Sequence, residues 1–400
     1  MTETWALAAL WLGLALFAGL VSIWLRVATA LSEIMVGIVA GAVLGTALLG
    51  VDQGWIKFLA GAGAIILTFL AGAELDPAVF RRKWKEATAV GLISFFAPFL
   101  GCAAAARWLL GWSPEASWLA GVAMSTTSVA VVYAVMIEFG FNTTEYGKTV
   151  LAACFITDLG TVVALGLLFA PFTLKTLLFV GALVIVALAV PWATPRFFGR
   201  YGGRASELEA KYLLVLLFGL GALAAWADSE AVLPAYVLGM MLAGTVGRDH
   251  VLVRRLRTLC FGLLTPFYFI RAGSFVSLPA LIAAPAAFLL MLVVKVATKM
   301  IGVYPVTQAF RSPRKEGMYT TLLMSTGLTF GTISSLFGLS KGIVDQAQYS
   351  ALVAAVIASA VIPTLIANAW FMPRHLLPRT EPAGRGDPAA VARPESARRS

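Results

Sequence analysis

Met124-Ser125-Thr126-Thr127-Ser128-Val129 and Ser325-Thr326-Gly327-Leu328-Thr329-Phe330-Gly331-Thr332 are the two stretches on which the fold turns. Each interrupts an apolar run with hydroxyl side chains, and the second adds two glycines. Hydroxyls can re-satisfy the backbone groups that an unwound helix frees inside lipid, so such stretches can break a membrane helix. Close packing of helices through small residues is the plainer alternative for either stretch alone. Together they say more. They fall in the fifth and twelfth apolar segments of the chain, which run in opposite directions. Two interrupted helices at corresponding places of an inverted repeat point to a transport site near the membrane midplane.

The surrounding chain reads as lipid-embedded. Of its 400 residues 60% are hydrophobic and 12% charged, about half the charged fraction of a soluble domain. A spanning helix needs roughly 20 mostly apolar residues. Thirteen segments qualify: 5–25, 32–50, 55–73, 85–109, 117–138, 146–170, 173–195, 210–228, 231–247, 258–275, 279–303, 317–337 and 349–371. Met1-Thr2-Glu3-Thr4 supplies no basic region before the first segment, and no A-x-A-like cleavage site stands out, so that segment is expected to be a retained span. The expected fold is therefore an all-α polytopic membrane protein of about thirteen helices, two of them broken, with residues 1–373 as one membrane unit. Residues 374–400, rich in Pro, Arg, Ala and Gly, read as a disordered tail.

The net charge of +10 could suggest a nucleic-acid partner, but its placement argues for a membrane instead. Loops after odd-numbered segments carry Arg81, Arg82, Lys83 and Lys85; Arg196, Arg200, Arg204 and Lys211; Arg248, Arg254, Arg255 and Arg257; and Arg311, Arg314 and Lys315, besides Arg26 and Lys148. Even loops carry only Lys57, Arg107, Lys175, Arg271 and Lys341. Basic loops stay cytoplasmic, so the N-terminus is expected outside and the tail inside a cell membrane, as in a bacterial inner membrane. No G-x-G-x-x-G follows a strand pattern, which argues against a nucleotide-binding domain. Cys102, Cys154 and Cys260 form no C-x-x-C pair and read as packing residues rather than metal ligands. No enzyme site and no cofactor are indicated.

Among the carboxylates, Asp158 in Phe155-Ile156-Thr157-Asp158-Leu159-Gly160 stands apart, at the centre of segment 146–170. The others are expected in loops, in the tail or within a few residues of a span end. A charge at that depth costs at least ~2.5–3.5 kcal/mol, and such residues are functional by default. A lone membrane carboxylate can hold either a proton or a small cation. If the site crosses only when filled, that competition by itself yields exchange. Hard cations take oxygen ligands, and Thr157, Ser125, Thr126, Thr127 and unwound carbonyls could supply them to Na+ or K+ at Asp158. Lys295 and Lys299, at i and i+4 of segment 279–303, share a helix face. Lys299 is expected to snorkel toward the inner end. Lys295, deeper, is the favoured partner for the Asp158 region, and Arg271 reads as an interfacial anchor.

Leu70-Ala71-Gly72-Ala73-Glu74-Leu75-Asp76-Pro77 resembles the L-A-G-x-E-L-D signature of the monovalent cation:proton antiporter-2 family. The Ser125–Val129 run resembles that family's first crossing helix, Thr157-Asp158 its Asp-Asp, Asn-Asp or Gln-Asp pair, and Ser325–Thr332 its second crossing region. The resemblance covers about residues 10–370. It implies cation/proton exchange by a homodimer with a dimerisation domain and a mobile core. It also implies that Asp158 binds the ion or proton, and that Lys295 matches the family's lysine, with Lys299 as the alternative register. Ser325, Thr326, Gly327 and Thr329 would form the second crossing. Electrogenic sodium/proton members usually carry two aspartates, whereas the first position here is Thr157. Single-carboxylate members, including potassium-transporting Kef-type proteins, are nearer, which implies an electroneutral exchanger. A gated cation channel and an organic-anion symporter of the same fold are the rival readings, and the midplane Asp158 argues against the anion.

Overall fold

The computed structural model describes residues 2–25, 29–73, 77–141, 144–169, 173–204, 206–227, 229, 231–247, 249–283, 285–310 and 312–376. Among them every long element is a helix. Glu74, Leu75 and Asp76 of the signature motif, and the tail beyond residue 376, lie outside the described residues.

Four helices open the chain: α1 (Thr2–Leu25), α2 (Thr29–Leu48), α3 (Gly54–Ala73) and α4 (Pro77–Trp108). The fifth apolar segment is two half-helices, α5 (Pro114–Ser125) and α6 (Val129–Glu138). Ser113 starts α5 by accepting the Ala116 N–H at 3.2 Å, with Pro114 at the first helical position. The helix stops where Thr126 turns extended, at φ −61° and ψ 150°. Next come α7 (Glu145–Phe169), α8 (Leu174–Tyr201), α9 (Leu208–Trp226) and the short α10 (Val232–Leu242). The tenth segment is a bent path of α11 (His250–Leu259), a π turn over Cys260–Leu264, and α12 (Thr265–Ser274). Pro266, which lacks an N–H, stands one residue beyond that π turn, after Thr265. After α13 (Leu278–Ala283) and α14 (Pro285–Ala309) comes the second broken segment, α15 (Arg314–Met324) and α16 (Thr329–Ser340). Finally α17 (Gln346–Ile366) starts at a capping box of Asp345 and Gln348.

Ten helical stretches among the described residues are long and apolar enough to cross a membrane, with Arg314–Ser340 taken as one. The helices pack as two groups. In one, α2 lies on α12 and α1, and α3 lies on α12 and α10. Trp11 fastens α1 there by donating to the Leu49 carbonyl at 2.9 Å and stacking on Phe267 at 5.2 Å. In the other, α4 packs on α5, α7 and α14, while α16 and α17 close over α5. Hydrophobic burial cannot drive such packing in lipid, so close backbone approach and polar contacts must hold it. The second group concentrates its polar contacts at one place, where the two broken helices meet.

Candidate transport site

The breaks in α5–α6 and α15–α16 touch each other. The Ser128 N–H donates to the Thr326 carbonyl at 3.2 Å, and the Thr127 hydroxyl donates to the Met324 carbonyl at 2.8 Å. Ser125, Thr126, Thr127, Ser128, Ser325 and Thr326 are all buried. Four of these hydroxyls also cap their own half-helices: Ser125 donates to Val122, Thr126 to Ala123, Ser325 to Thr321 and Thr326 to Leu323. The carbonyls of the last turns are thereby satisfied without water, which is what lets a helix end inside lipid. A Cβ at Gly327 would run into the Lys295 Nζ and the Thr126 hydroxyl. Thr329 opens α16 on the far side of this crossing.

Asp158, on α7, is buried beside the first break at 1% exposure. The Thr127 backbone N–H is directed at its carboxylate, and its Oδ1 has no hydrogen-bond partner. Thr157 faces elsewhere, its hydroxyl shared between the Gly91 carbonyl of α4 and the Ala153 carbonyl, each at 3.1 Å. Thr161 lies 3.2 Å from Ser125 and completes the polar face of α7.

The lysines depart from expectation. Lys299 does not snorkel: it is fully buried, because α14 is held among α4, α15 and α17 with this face inward. Its amine donates to the Ser94 hydroxyl at 2.7 Å, the Ser125 carbonyl at 3.0 Å and the Thr127 hydroxyl at 3.1 Å. All three of its protons are therefore used, and the last carbonyl of α5 receives the positive charge that a helix C-terminus favours. Lys295 is buried too, against Gly327 of the second break, but its Nζ has no acceptor. Of the two, Lys299 is the one that the first break holds. Neither lysine ion-pairs with Asp158, although both contribute to the field at it.

Three contributors carried no sequence signal. Ser94 is a single hydroxyl in an apolar run of α4. Tyr236 on α10 donates to the Phe155 carbonyl of α7 at 3.0 Å and meets Phe330 of α16 edge-on, so it joins the two helix groups beside Asp158. Glu33, expected near a span end, is buried within α2 at 3% exposure because α12 packs over it.

A cavity of about 320 Å³ opens at the end of the bundle that bears the basic loops. Glu86, Glu145, Glu316, Lys83 and Thr320 line it, and its floor reaches Ala153, little more than one turn from Asp158 on α7. The charges at its mouth are interlinked: Glu145 pairs with Arg82 at 2.9 Å and Lys83 at 3.3 Å, and Glu316 meets His375 at 2.7 Å.

Comparison with known proteins agrees with this architecture. The chain is 25% identical over 361 residues to a protein of Methanocaldococcus jannaschii named probable Na(+)/H(+) antiporter 3, covering 86% of this chain and 90% of that one. It is 26% identical over 356 residues to the glutathione-regulated potassium-efflux system protein KefC of Salmonella heidelberg, covering 82% of this chain and 54% of KefC, so it spans about half of that relative's length. The solved structure of the sodium proton antiporter MjNhaP1 from Methanocaldococcus jannaschii superposes with a TM-score of 0.70 at 16% identity, over 92% of this chain and 96% of that one. The profile of the transmembrane sodium/hydrogen exchanger family matches residues 12–372, and the chain belongs to that family.

Proposed function

We propose that this chain exchanges a monovalent cation, Na+ or K+, for a proton, with both competing for the one carboxylate of Asp158. The observation that carries the reading is the free Oδ1 of a buried carboxylate placed where two broken helices meet. Such an oxygen takes a proton or a cation with equal geometric ease. The carbonyls and hydroxyls of the 125–128 break lie at hand to complete an oxygen shell for the cation. The cavity ending near Ala153 supplies access from the cytoplasmic side. Alternate access then requires the Asp158-bearing group of helices to move against the group joined to it through Tyr236. The working form proposed is a homodimer in a cell membrane, with the tail inside.

Because Thr157 cannot carry a proton at physiological pH, one cation should move against one proton with no net charge. The membrane potential, which couples about 2.3 kcal/mol per charge per 100 mV, then neither drives nor opposes exchange. The test is the zero-flux ion gradient in proteoliposomes, clamped first at zero potential and then at a negative one. A shift between the two assigns a second proton to a buried lysine and overturns the electroneutral reading. A channel is separated in the same assay, since it moves no protons against an imposed cation gradient.

Thr126→Val is expected to raise the apparent KM for the cation about tenfold, or ~1.4 kcal/mol, with little change in maximal rate. Thr127→Val should raise KM and also lower the maximal rate, since Thr127 also holds Lys299 and the Met324 carbonyl. Unchanged affinity for Na+, K+, Li+ and Rb+ in Thr126→Val assigns that residue to packing alone.

A further inference from the structure

Glu33 lies in the group of helices that does not carry Asp158, and the exchange described above gives it no part. It sits four residues before Gly37 and eight before Gly41, so all three share one stripe of α2. That stripe is pressed on α12: a Cβ at Gly37 would strike the Ile270 backbone, and one at Gly41 the Ser274 backbone. The register therefore sets Glu33 against the turn before Ile270, at Thr265-Pro266, where the π turn joins α12. The helical ladder is incomplete there, because Pro266 offers no N–H. Buried polar atoms without partners collect at the same level. The Ser32 and Thr265 hydroxyls have none, and the Glu33 carboxyl, in a residue 3% exposed, has no hydrogen bond or ion pair among the described residues.

We propose that Glu33 is a second proton-binding group within the membrane, and that its loss of a proton loosens the contact of α2 with α12 and shapes the pH dependence of exchange. A carboxylate with neither donor nor counter-ion fits this packing only in its neutral form. The protonated group has an O–H to offer a carbonyl left free by the π turn. Ionised, it must draw in water or push the first turn of α2 away from α12. Glu33 stands one turn into α2 from its start at Thr29, so a proton has a short path to the cytoplasmic surface.

Among the described residues the ionisable neighbours are few. The Cys260 thiol of the π turn is the one that interacts with Glu33. On α12, Tyr268 and Arg271 lie further out, and Arg271 is tied to the Val51 carbonyl and Asp52. On α3, Lys57 lies at the outer end and pairs with Asp52. On α1, Glu3 is the sole ionisable side chain, at the far end. None of these supplies Glu33 with a counter-ion.

The test is Glu33→Gln, which keeps shape and donor capacity but cannot ionise. The packed wild-type protein holds a proton at Glu33 that the unfolded chain releases above acidic pH, so this site makes stability fall as pH rises. Glu33→Gln lacks that slope. The melting temperature of purified Glu33→Gln is expected to pull ahead of wild type by a few degrees between about pH 5 and about pH 8. In proteoliposomes it should match wild type at acidic cytoplasmic pH and diverge at alkaline pH. Parallel melting curves together with superimposable pH profiles overturn the proposal. The activity arm rests on the proposed exchange and the melting arm does not, so failures of the two readings are separable. Should Glu33→Gln not fold, wild-type protein treated with dicyclohexylcarbodiimide, which adds to protonated carboxyls in apolar surroundings, decides the matter by peptide mass mapping. Labelling of Glu33 that fades as pH rises supports the proposal. Glu33 unlabelled at every pH overturns it.

Discussion

Asp158→Asn is expected to reduce cation-driven proton movement in proteoliposomes to the level of empty vesicles. Asn fills the same space and can still accept from the Thr127 N–H, so the crossing of the broken helices is left intact. It can neither take up a proton nor balance a cation, so both halves of the exchange fail together. The same change should not weaken the fold. A charge at the membrane centre costs at least ~2.5–3.5 kcal/mol, and removing one whose Oδ1 has no partner relieves part of that cost. The purified variant is therefore expected to melt at or above the wild-type temperature, in the way function and stability commonly oppose each other at a site. Exchange at the wild-type rate in a well-reconstituted sample would falsify the central role of Asp158. A collapse of the melting temperature would mean that the carboxylate is structural.

The contrast between the two halves of this prediction parallels what the sequence did and did not disclose. Asp158 was legible because a charge in the middle of an apolar run has no packing explanation. The broken helices were legible because hydroxyls cluster where backbone groups need substitutes, and both clusters do end half-helices. The basic loops set an expected direction for the spans by a rule that needs no three-dimensional information. Side-chain partnerships were not legible. Lys295 and Lys299 share a face and differ by only about 6 Å along the axis, so the tilt of α14 against α4 and α5 decides which one reaches the Ser125 carbonyl. Glu33 was hidden by its position, since span ends read from sequence are uncertain by two to four residues and it stands four residues after Thr29, where α2 starts. Ser94 and Tyr236 were ordinary residues of apolar helices, given meaning only by what packs opposite them.

The lysines supply the second large effect, as opposite outcomes for one residue type at positions four apart. Lys299→Met should lower the melting temperature steeply and abolish exchange. It removes three hydrogen bonds from a charged donor, each worth about 1.5–3 kcal/mol, and leaves the Ser125 carbonyl buried without a partner. The losses will not add fully, because the three acceptors sit in one network, but a destabilisation of at least ~3 kcal/mol is expected. Lys299→Arg should not restore the protein, since a planar fork cannot place three donors around the point that the ammonium occupies. Lys295→Met removes no hydrogen bond, because its Nζ has no acceptor. Replacing a buried amine that has no acceptor by an apolar chain of similar length is neutral or stabilising, so this variant should melt at or above wild type. Its effect belongs to transport, where the amine beside Gly327 is removed and its contribution to the field at Asp158 is lost. Cation affinity is then expected to rise while turnover falls, as a tightly held ion leaves slowly. Thermal melting of both variants, with KM and maximal rate for Lys295→Met, checks the pair. If Lys295→Met proves the less stable of the two, Lys299 is not what anchors the first broken helix.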